Sequence, residues 1–260
     1  MIFKPSNTPI KDWSGCRVWL VGASSGIGAA LAQDLLSRGA HVVVSARRED
    51  TLKSVVTGHT NGHVHAFDVM QAADWPIALA QVEKMLGEVD LVVLGAARYD
   101  PQHSWEIDLA TVRASYDLNV VSMYTGLHTL VPYLLKKPGR GVAIISSISG
   151  YTGLPRAMVY GATKAALKNL TETLYFELAP KGVSVYLINP GFVKTPMTAA
   201  NDFHMPSLIS PQQAAQAIRV GFEKGRFEIA FPKAFATTLR WVGCLPYKLR
   251  FWLLHRMTNM

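Results

Sequence analysis

The chain has 260 residues, of which 49% are hydrophobic and 17% charged, and its 26 Lys and Arg against 18 Asp and Glu give a formal charge of +8. This composition indicates a folded globular protein and excludes a disordered, collagen-like or disulfide-stapled chain. Residues 233–260 contain five basic and no acidic residues. Because the rest of the chain is nearly balanced, nucleic-acid binding over the whole surface is not expected.

The first segment, residues 1–15, is interpreted as an extended N-terminal arm without the apolar core of an export signal. No stretch reaches the ~18 consecutive apolar residues of a membrane-spanning helix. Cys16 and Cys244 lie at opposite ends of the sequence. So sparse a pair suggests reduced thiols, although a single bridge stays open, and we expect a cytoplasmic protein that is not integral to a membrane.

After residue 16, short apolar runs alternate with segments of helical period. The runs predict strands at Val18–Val21, His41–Ser45, Val64–Phe67, Asp90–Leu94, Val142–Ser146, Val183–Ile188 and Phe227–Phe231. The longer segments predict helices at Ile27–Ser37, Glu49–Val56, Trp75–Leu86, Leu109–Leu135, Tyr160–Leu178 and Pro211–Glu223. Such alternation forces parallel pairing through crossovers, so the sequence predicts an α/β fold with one doubly wound parallel sheet of about seven strands and helices on both faces. A single domain is expected over residues 16–232.

The first strand runs into a glycine-rich turn, Val21-Gly22-Ala23-Ser24-Ser25-Gly26-Ile27-Gly28, and then directly into a helical pattern. Glycines let the backbone N–H groups of such a turn approach a pyrophosphate at the positive end of the helix dipole. The spacing differs from the common dinucleotide fingerprint, and an ordinary turn between strand and helix is the alternative. Its position after the first strand favours cofactor binding.

The second strand ends at Ser45-Ala46-Arg47-Arg48. At this point of a dinucleotide-binding fold an acidic residue bonds the adenosine ribose, whereas an Arg pairs with a 2′-phosphate. The sequence therefore favours NADP over NAD, with Arg47 as the phosphate contact. Arg48 is interpreted more readily as a solvated residue at the start of the next helix.

Tyr160 and Lys164 lie four residues apart at the start of a predicted helix, and Ser147 lies 13 residues before Tyr160. Residues four apart share a helix face, and an ammonium beside a phenol favours the phenolate needed for acid–base chemistry near neutral pH. Ser147 follows a predicted strand, so the three fall at the carboxyl edge of the sheet, where ligands bind in such folds. Ser146 and Ser149 are neighbouring alternatives to Ser147.

In these motifs and their order, the chain resembles the short-chain dehydrogenase/reductase family over roughly residues 17–231. The resemblance implies a Rossmann-like fold and a catalytic tetrad of Asn119, Ser147, Tyr160 and Lys164. It implies an NADP-binding site formed by Gly22, Ser24, Ser25, Gly26, Ile27, Gly28, Arg47, Asp68, Val69, Tyr160, Lys164, Pro190, Gly191, Val193 and Thr195. One motif departs from the pattern, because Leu94-Gly95-Ala96-Ala97 stands where members carry Asn-Asn-Ala-Gly. This departure puts local rigidity in question more than proton transfer.

The resemblance further implies an NADP-dependent oxidoreductase that interconverts a carbonyl and an alcohol on a small molecule, with Tyr160 as the acid/base. Lys164 would lower the phenol pKa and hold the nicotinamide ribose, Ser147 would bond the developing alkoxide, and Asn119 would position a water relay to Lys164. The alternative is a catalytically idle NADP-binding redox sensor or membrane-associated scaffold. Family members commonly pair through helices, so a homo-oligomer is expected, and we assign no metal site.

Residues 192–207 correspond to the family's substrate lid. Apolar side chains there favour an apolar or lipid-like substrate, although a loop also uses such residues to pack down; they are Phe192, Met197, Phe203 and Met205. His204 belongs to the same segment. Tyr151 and Leu154 are further candidates for the pocket lining.

Residues 233–260 form a basic, aromatic C-terminal extension, in which Pro246 separates two predicted helices. Trp and Tyr beside Lys and Arg are typical of an interfacial membrane anchor. The same helices would equally suit packing on a partner subunit or over the substrate pocket. Both interpretations stay open, and peripheral membrane contact through the C-terminus is one of them.

Overall fold

The computed structural model describes residues 5–201, 203 and 205–258, with the side chain of Ala200 excepted. His204 and the outermost residues of the arm and of the C-terminal extension lie outside the described part.

The predicted parallel sheet is confirmed. Its strands are β1 (Arg17–Val21), β2 (His41–Ser45), β3 (Gly62–Val64), β4 (Leu91–Leu94), β5 (Gly141–Ile145), β6 (Ser184–Pro190) and β7 (Glu228–Phe231). Their order across the sheet is β3-β2-β1-β4-β5-β6-β7, and every neighbouring pair is parallel. The strand order reverses direction between β1 and β4, which in this class of fold opens a crevice at the carboxyl ends of the strands.

Helices cover both faces of the sheet and follow it at the C-terminus. They are α1 (Gly26–Leu36), α2 (Glu49–Val56), α3 (Asp74–Leu86), α4 (Leu109–Tyr116), α5 (Ser122–Leu134), α6 (Met158–Leu178), α7 (Pro211–Glu223), α8 (Lys233–Cys244) and α9 (Tyr247–Thr258). One core packs α1 and α7 on the sheet through Leu31, Leu35 and Phe222. The other packs α3, α5 and α6 on the opposite face, where Trp19 and Trp75 meet with ring centroids 6.0 Å apart.

Two predicted elements are wrong in their extent. The helix predicted at Leu109–Leu135 is divided into α4 and α5 by a π-helical turn at Asp117–Val121. A π turn inserts one extra residue into a helix and so shifts the face on which the following residues lie. The hydrophobic periodicity of the sequence does not reveal such a turn clearly. The strand predicted at Val64–Phe67 is displaced to β3, although the amides of His65 and Phe67 still bond to carbonyls of Val44 and Ala46.

The N-terminal arm packs against the sheet. The Asn7 side chain donates to the Val185 carbonyl at 2.8 Å and accepts from the Val185 amide at 2.9 Å, so the arm covers the backbone of β6. Trp13 is buried in the core beside Phe222. Both cysteines are free thiols.

The C-terminal extension forms the two predicted helices, α8 and α9, with Leu245 and Pro246 between them. Leu239 and Leu254 are buried in a third apolar cluster with Ile148, which lies just after β5. This contact places the extension over the carboxyl edge of the sheet. None of the helices in the described part of the chain is long and apolar enough to cross a membrane.

Candidate active site

Two clefts meet at the carboxyl edge of the sheet. The nucleotide cleft contains the glycine turn after β1, the tip of β2, and the ends of β4, β5 and β6. The apolar cleft lies under the segment after β6 and the C-terminal helices. Both clefts are lined by Ser147, Tyr160, Gly191, Met197 and Thr198. The predicted serine and tyrosine therefore stand at the junction of the two clefts.

The structure brings together nearly every residue predicted for the cofactor and for catalysis. The nucleotide cleft is lined by the predicted residues Gly22, Ser24, Ser25, Gly26, Ile27, Gly28, Arg47, Asp68, Val69, Ser147, Tyr160, Lys164, Pro190, Gly191, Val193 and Thr195. Asn119 alone among the predicted residues does not line it.

The glycine turn has the geometry that a pyrophosphate requires. Gly22 has a φ of +85°, and a Cβ there would lie 2.6 Å from the Gly95 carbonyl carbon; a Cβ at Gly28 would lie 2.6 Å from the Gly22 oxygen. At the start of α1, the Ser25 side chain forms no capping hydrogen bond, and the first turn contains no acidic residue. The N–H groups at this helix end are thus available to an anion, so the residues present fit a dinucleotide.

The tip of β2 carries two exposed cations. Arg47 and Arg48 both line the nucleotide cleft, and neither forms an ion pair within the described part of the chain. The sequence favoured Arg47 alone as the anion contact. The structure places both guanidinium groups at the rim, because α2 begins only at Glu49.

Tyr160 and Ser147 face each other across the junction of the clefts. Burial raises the pKa of the Tyr160 phenol above its usual value, and the hydrogen bond between its hydroxyl and that of Ser147 partly opposes this rise. The Tyr99 ring packs edge-on against Tyr160, with centroids 5.0 Å apart. The phenol is therefore held protonated in a desolvated environment, in the state required of a proton donor.

Lys164 is buried beside Tyr160 on the same helix. Burial lowers the pKa of Lys164 to about 7, so the ammonium is only partly charged at neutral pH. Its Nζ donates to the Ile145 carbonyl at 3.0 Å and lies 5.4 Å from the centroid of the Tyr160 ring. In the cofactor-free protein, desolvation is the main influence on the pKa of both groups, and the role of Lys164 in lowering the phenol pKa stays a prediction.

Among the three neighbouring serines, the structure distinguishes Ser147. Ser146 is buried, and its hydroxyl donates to the Lys164 carbonyl at 2.8 Å, which fixes α6 to the end of β5. The Ser147 hydroxyl accepts from the Ser149 amide at 3.2 Å and donates to the Pro190 carbonyl at 3.3 Å. Of Ser146, Ser147 and Ser149, only Ser147 lines both clefts.

Asn119 is fully buried in the π turn, and its amide is engaged by its neighbours. It donates to the Arg98 carbonyl at 2.9 Å and to the Thr163 hydroxyl at 3.2 Å, and it accepts from the Arg98 amide at 2.8 Å. These bonds tie the segment after β4 to the residue preceding Lys164. They supply rigidity next to Leu94-Gly95-Ala96-Ala97, where the family's usual asparagines are missing. The Gly95 amide also bonds to the Val21 carbonyl at 2.8 Å.

The apolar cleft has a volume of about 480 Å³. Its apolar lining consists of Ile148, Leu154, Pro155, Ala157, Phe192, Met197, Phe203, Pro206, Phe235, Leu239, Leu254 and Met257. Four predicted pocket residues are therefore present, namely Leu154, Phe192, Met197 and Phe203. Met205 and Tyr151 are absent from the lining, because the sulfur of Met205 accepts from the Asn201 amide and Tyr151 bonds to Glu228.

A polar cluster behind the apolar cleft was missed by sequence reasoning. The half-buried carboxylate of Glu228 accepts hydrogen bonds from Tyr151 and Asn189 and forms an ion pair with Arg240. The cluster joins the turn after Ser147 to β6, β7 and α8. The signal in the sequence was Glu228, a charged residue within the apolar run predicted as the strand at 227–231. A buried carboxylate requires hydrogen-bond or ion-pair partners, so other polar residues had to lie beside it.

No described group of three or more His, Cys, Asp or Glu side chains is arranged to hold a metal ion. The described polar side chains that line the two clefts include hydroxyls, the phenols of Tyr99 and Tyr160, the amine of Lys164, guanidinium groups and the single carboxylate of Asp68. These groups can bind a phosphate and move a proton.

Comparison with known proteins identifies the family. The sequence profile of the short chain dehydrogenase family matches residues 17–205. An uncharacterized oxidoreductase of Myxococcus xanthus (strain DK1622) is 32% identical over 235 residues, which cover 88% of this chain and 92% of that protein. The 11-beta-hydroxysteroid dehydrogenase A of Sesamum indicum is 32% identical over 194 residues, covering 72% of this chain and 55% of that protein.

A solved structure shows the same fold. The short chain dehydrogenase/reductase from Burkholderia phymatum, in complex with NAD, superposes with a TM-score of 0.80 at 22% identity, covering 89% of this chain and 94% of the other. Fold, motif order and sequence similarity therefore agree, and the chain belongs to the short-chain dehydrogenase family of oxidoreductases.

Proposed function

We propose that the protein is an NADP-dependent oxidoreductase that interconverts a carbonyl and an alcohol on an apolar small molecule, with Tyr160 as the acid/base. The observation that carries this proposal is the junction of the two clefts. Tyr160 and Ser147 line both, so a substrate in the apolar cleft would have its reacting oxygen beside the phenol and within reach of a cofactor in the nucleotide cleft.

The family binds a nicotinamide cofactor, and the preference for NADP rests on Arg47 and Arg48. Two exposed guanidinium groups without described ion-pair partners form a site for a 2′-phosphate, since Arg binds phosphate with a planar pair of donors. No acidic side chain stands at the tip of β2 to bond a ribose hydroxyl. The NAD bound to the Burkholderia phymatum protein does not argue against this, because at 22% identity that structure speaks for the fold alone.

When bound, the nicotinamide supplies or accepts the hydride. Tyr160 Oη gives its proton to the carbonyl oxygen in reduction and takes it back in oxidation. Ser147 Oγ donates to the same oxygen and stabilises the negative charge that develops there. Lys164 would bond the ribose hydroxyls of the cofactor, and as a charged ammonium it would stabilise negative charge on the phenol oxygen of Tyr160.

Asn119 is a positioning residue in this mechanism. Its three hydrogen bonds hold the segment after β4 against the residue before Lys164. The water relay expected from the family stays a proposal, because the side-chain amide of Asn119 is already engaged in hydrogen bonds with Arg98 and Thr163.

An apolar substrate is proposed from the lining of the apolar cleft. Burial of apolar surface provides the binding free energy, and the few polar groups at the junction orient the reacting oxygen. The relative from Sesamum indicum, whose name describes a hydroxysteroid dehydrogenase, is consistent with this class of substrate.

We also propose that the protein forms a homo-oligomer through the faces of α5 and α6. Tyr124 and Phe176 are 55% and 78% exposed on these helices. A mass measured by light scattering tests this point: a multiple of the 28.5 kDa chain mass supports it, and a monomer contradicts it.

The experiment that tests the function has two parts. The purified chain is titrated with NADPH and with NADH by fluorescence, and NADPH oxidation is then followed with a panel of ketones and aldehydes graded from polar to apolar. The proposal predicts tighter binding of NADPH and turnover that rises with apolar size. Binding without turnover of any compound would favour the idle sensor, and tighter binding of NADH would contradict the assignment of NADP.

A further inference from the structure

The outer face of α9 is both aromatic and cationic. Lys248, Trp252 and Arg256 follow one another at intervals of four residues and so share a face of the helix. Phe251 and Trp252 are 54% and 49% exposed, and Tyr247 at the start of the helix is 67% exposed. We call Tyr247, Lys248, Phe251, Trp252 and Arg256 the outer stripe. These rings are too large and too exposed to be accounted for by the packing of this chain.

The inner face of the same helix belongs to the apolar cleft. Leu254 is buried, and it lines the cleft together with Met257 and Thr258. Lys248, Trp252 and Arg256 lie on the side of α9 opposite Leu254 and face away from the cleft, whereas Tyr247 and Phe251 lie at the exposed border of the inner face. The helix has 12 residues and is about 18 Å long, so it is too short to span a bilayer.

The basic residues in and beside the outer stripe favour a negatively charged binding partner. Residues 233–260 contain no Asp or Glu, and Lys248, Arg250 and Arg256 form no ion pair with any described residue. The Arg256 guanidinium lies 4.2 Å from the centroid of the Trp252 ring, and that of Arg250 lies 4.7 Å from the centroid of the Tyr247 ring. A cation stacked on an exposed ring is the pairing found at the headgroup level of membranes, where the ring meets the apolar boundary and the cation meets phosphate.

A second copy of this chain fits the stripe less well. Two outer stripes facing each other would bring four or more cations together with no acidic residue between them, and like charges in contact are destabilising. Anionic lipid headgroups neutralise the same cations and accept the rings at the same time.

We propose that the outer stripe of α9 docks on an anionic lipid surface, which places the wall of the apolar cleft at the membrane interface. The docking itself does not depend on catalysis. Its use for taking an apolar substrate directly from the bilayer rests on the proposed function.

The test is co-sedimentation of the full chain with vesicles of phosphatidylcholine alone and with 30% phosphatidylglycerol. We expect binding to the anionic vesicles only, weakened by high salt because screening shortens the range of the attraction. Lys248→Gln with Arg256→Gln should lower the partition coefficient about 30-fold, since each cation near the surface contributes about a factor of five. Phe251→Ser with Trp252→Ser should lower it as well.

Matched controls distinguish the effect of the outer stripe on vesicle binding from the effects of net charge and of nonspecific hydrophobic adsorption. Lys84→Gln with Lys224→Gln removes the same charge from exposed positions elsewhere, and Trp105→Ser removes an exposed ring outside α5, α6 and the outer stripe. The proposal is overturned if the wild-type chain does not bind anionic vesicles, or if the controls lose as much binding as the stripe variants. It is also overturned if the stripe variants change the oligomeric mass while vesicle binding stays the same. NADPH affinity, measured on every variant, reports separately on the nucleotide cleft.

Discussion

The ammonium group of Lys164 donates a hydrogen bond to the carbonyl oxygen of Ile145, with 3.0 Å between Nζ and O. Ile145 ends β5, and Lys164 lies on the second turn of α6. The bond therefore ties the helix that carries Tyr160 to the strand that presents Ser147. It is also the one hydrogen bond described for an amine that is 1% exposed, and such burial destabilises the charged form.

The pH dependence of stability follows from this burial. The pKa of Lys164 is about 7 in the folded protein and lies near 10.4 in an unfolded chain. Between these values the unfolded chain binds a proton that the folded chain does not, so the free energy of unfolding rises with pH through this window. Below pH 7 the buried Lys164 ammonium destabilises the folded state to its full extent.

Lys164→Met should therefore stabilise the cofactor-free protein. The expected gain is on the order of a few kcal/mol at pH 6 and shrinks toward pH 10. Urea unfolding of the wild type and the variant at several pH values measures the difference. Lys168→Met, which removes a half-exposed amine one turn later on α6, is the control and should show no such pH trend. A constant difference across pH would contradict the buried, weakly charged state of Lys164.

Gly22 should be irreplaceable for a reason beyond its left-handed backbone. Gly22 and Gly58 have φ of +85° and +83°, but a Cβ at Gly22 would strike the backbone of Gly95, whereas one at Gly58 would have no atom within 4 Å. Gly58→Ala should cost about 1–2 kcal/mol of stability through strain alone and leave NADPH binding unchanged. Gly22→Ala should cost several kcal/mol more and abolish NADPH binding. Equal effects in thermal unfolding and in NADPH titration would refute the close packing of the turn.

Arg47 should decide between the two coenzymes. Arg47→Ala removes a charge-assisted contact to a 2′-phosphate, so the dissociation constant for NADPH should rise about 10- to 100-fold while that for NADH changes little. Lys53→Ala removes a nearby exposed cation that is paired with Glu49, and it should alter neither value. An equal loss for both coenzymes, or a large effect of Arg48→Ala with none at Arg47, would show that the selective contact is misplaced.

The sequence was sufficient to predict those parts of the site that are formed by residues close together in the chain. The glycine turn between β1 and α1 and the four-residue spacing of Tyr160 and Lys164 are local patterns, so their placement around one cleft could be predicted. The π turn at Asp117–Val121 could not, because its extra residue is stabilised by the distant partners Arg98 and Thr163. The lowered pKa of Lys164 likewise depends on burial, which no spacing reveals.

The C-terminal extension shows most clearly what could not be predicted from the sequence alone. Its composition left a membrane anchor, packing on a partner subunit and a cover for the pocket as competing interpretations. In the structure, Leu239 and Leu254 line the apolar cleft, which agrees with a cover for the pocket, while Trp241 and Trp252 are exposed. The cluster of Tyr151, Glu228 and Arg240 that holds α8 in place joins residues up to 89 positions apart, beyond the reach of any local pattern.

The most direct measurement of the central claim is the turnover of Tyr160→Phe with the best carbonyl substrate found in the panel. This change removes only the phenol oxygen, so turnover should fall at least about 100-fold, the usual contribution of a positioned acid, while NADPH affinity and the midpoint of thermal unfolding stay close to those of the wild type. Tyr99→Phe, which keeps the neighbouring ring and loses its hydroxyl, should retain most of the activity. Near-wild-type turnover by Tyr160→Phe would contradict its role as the acid/base.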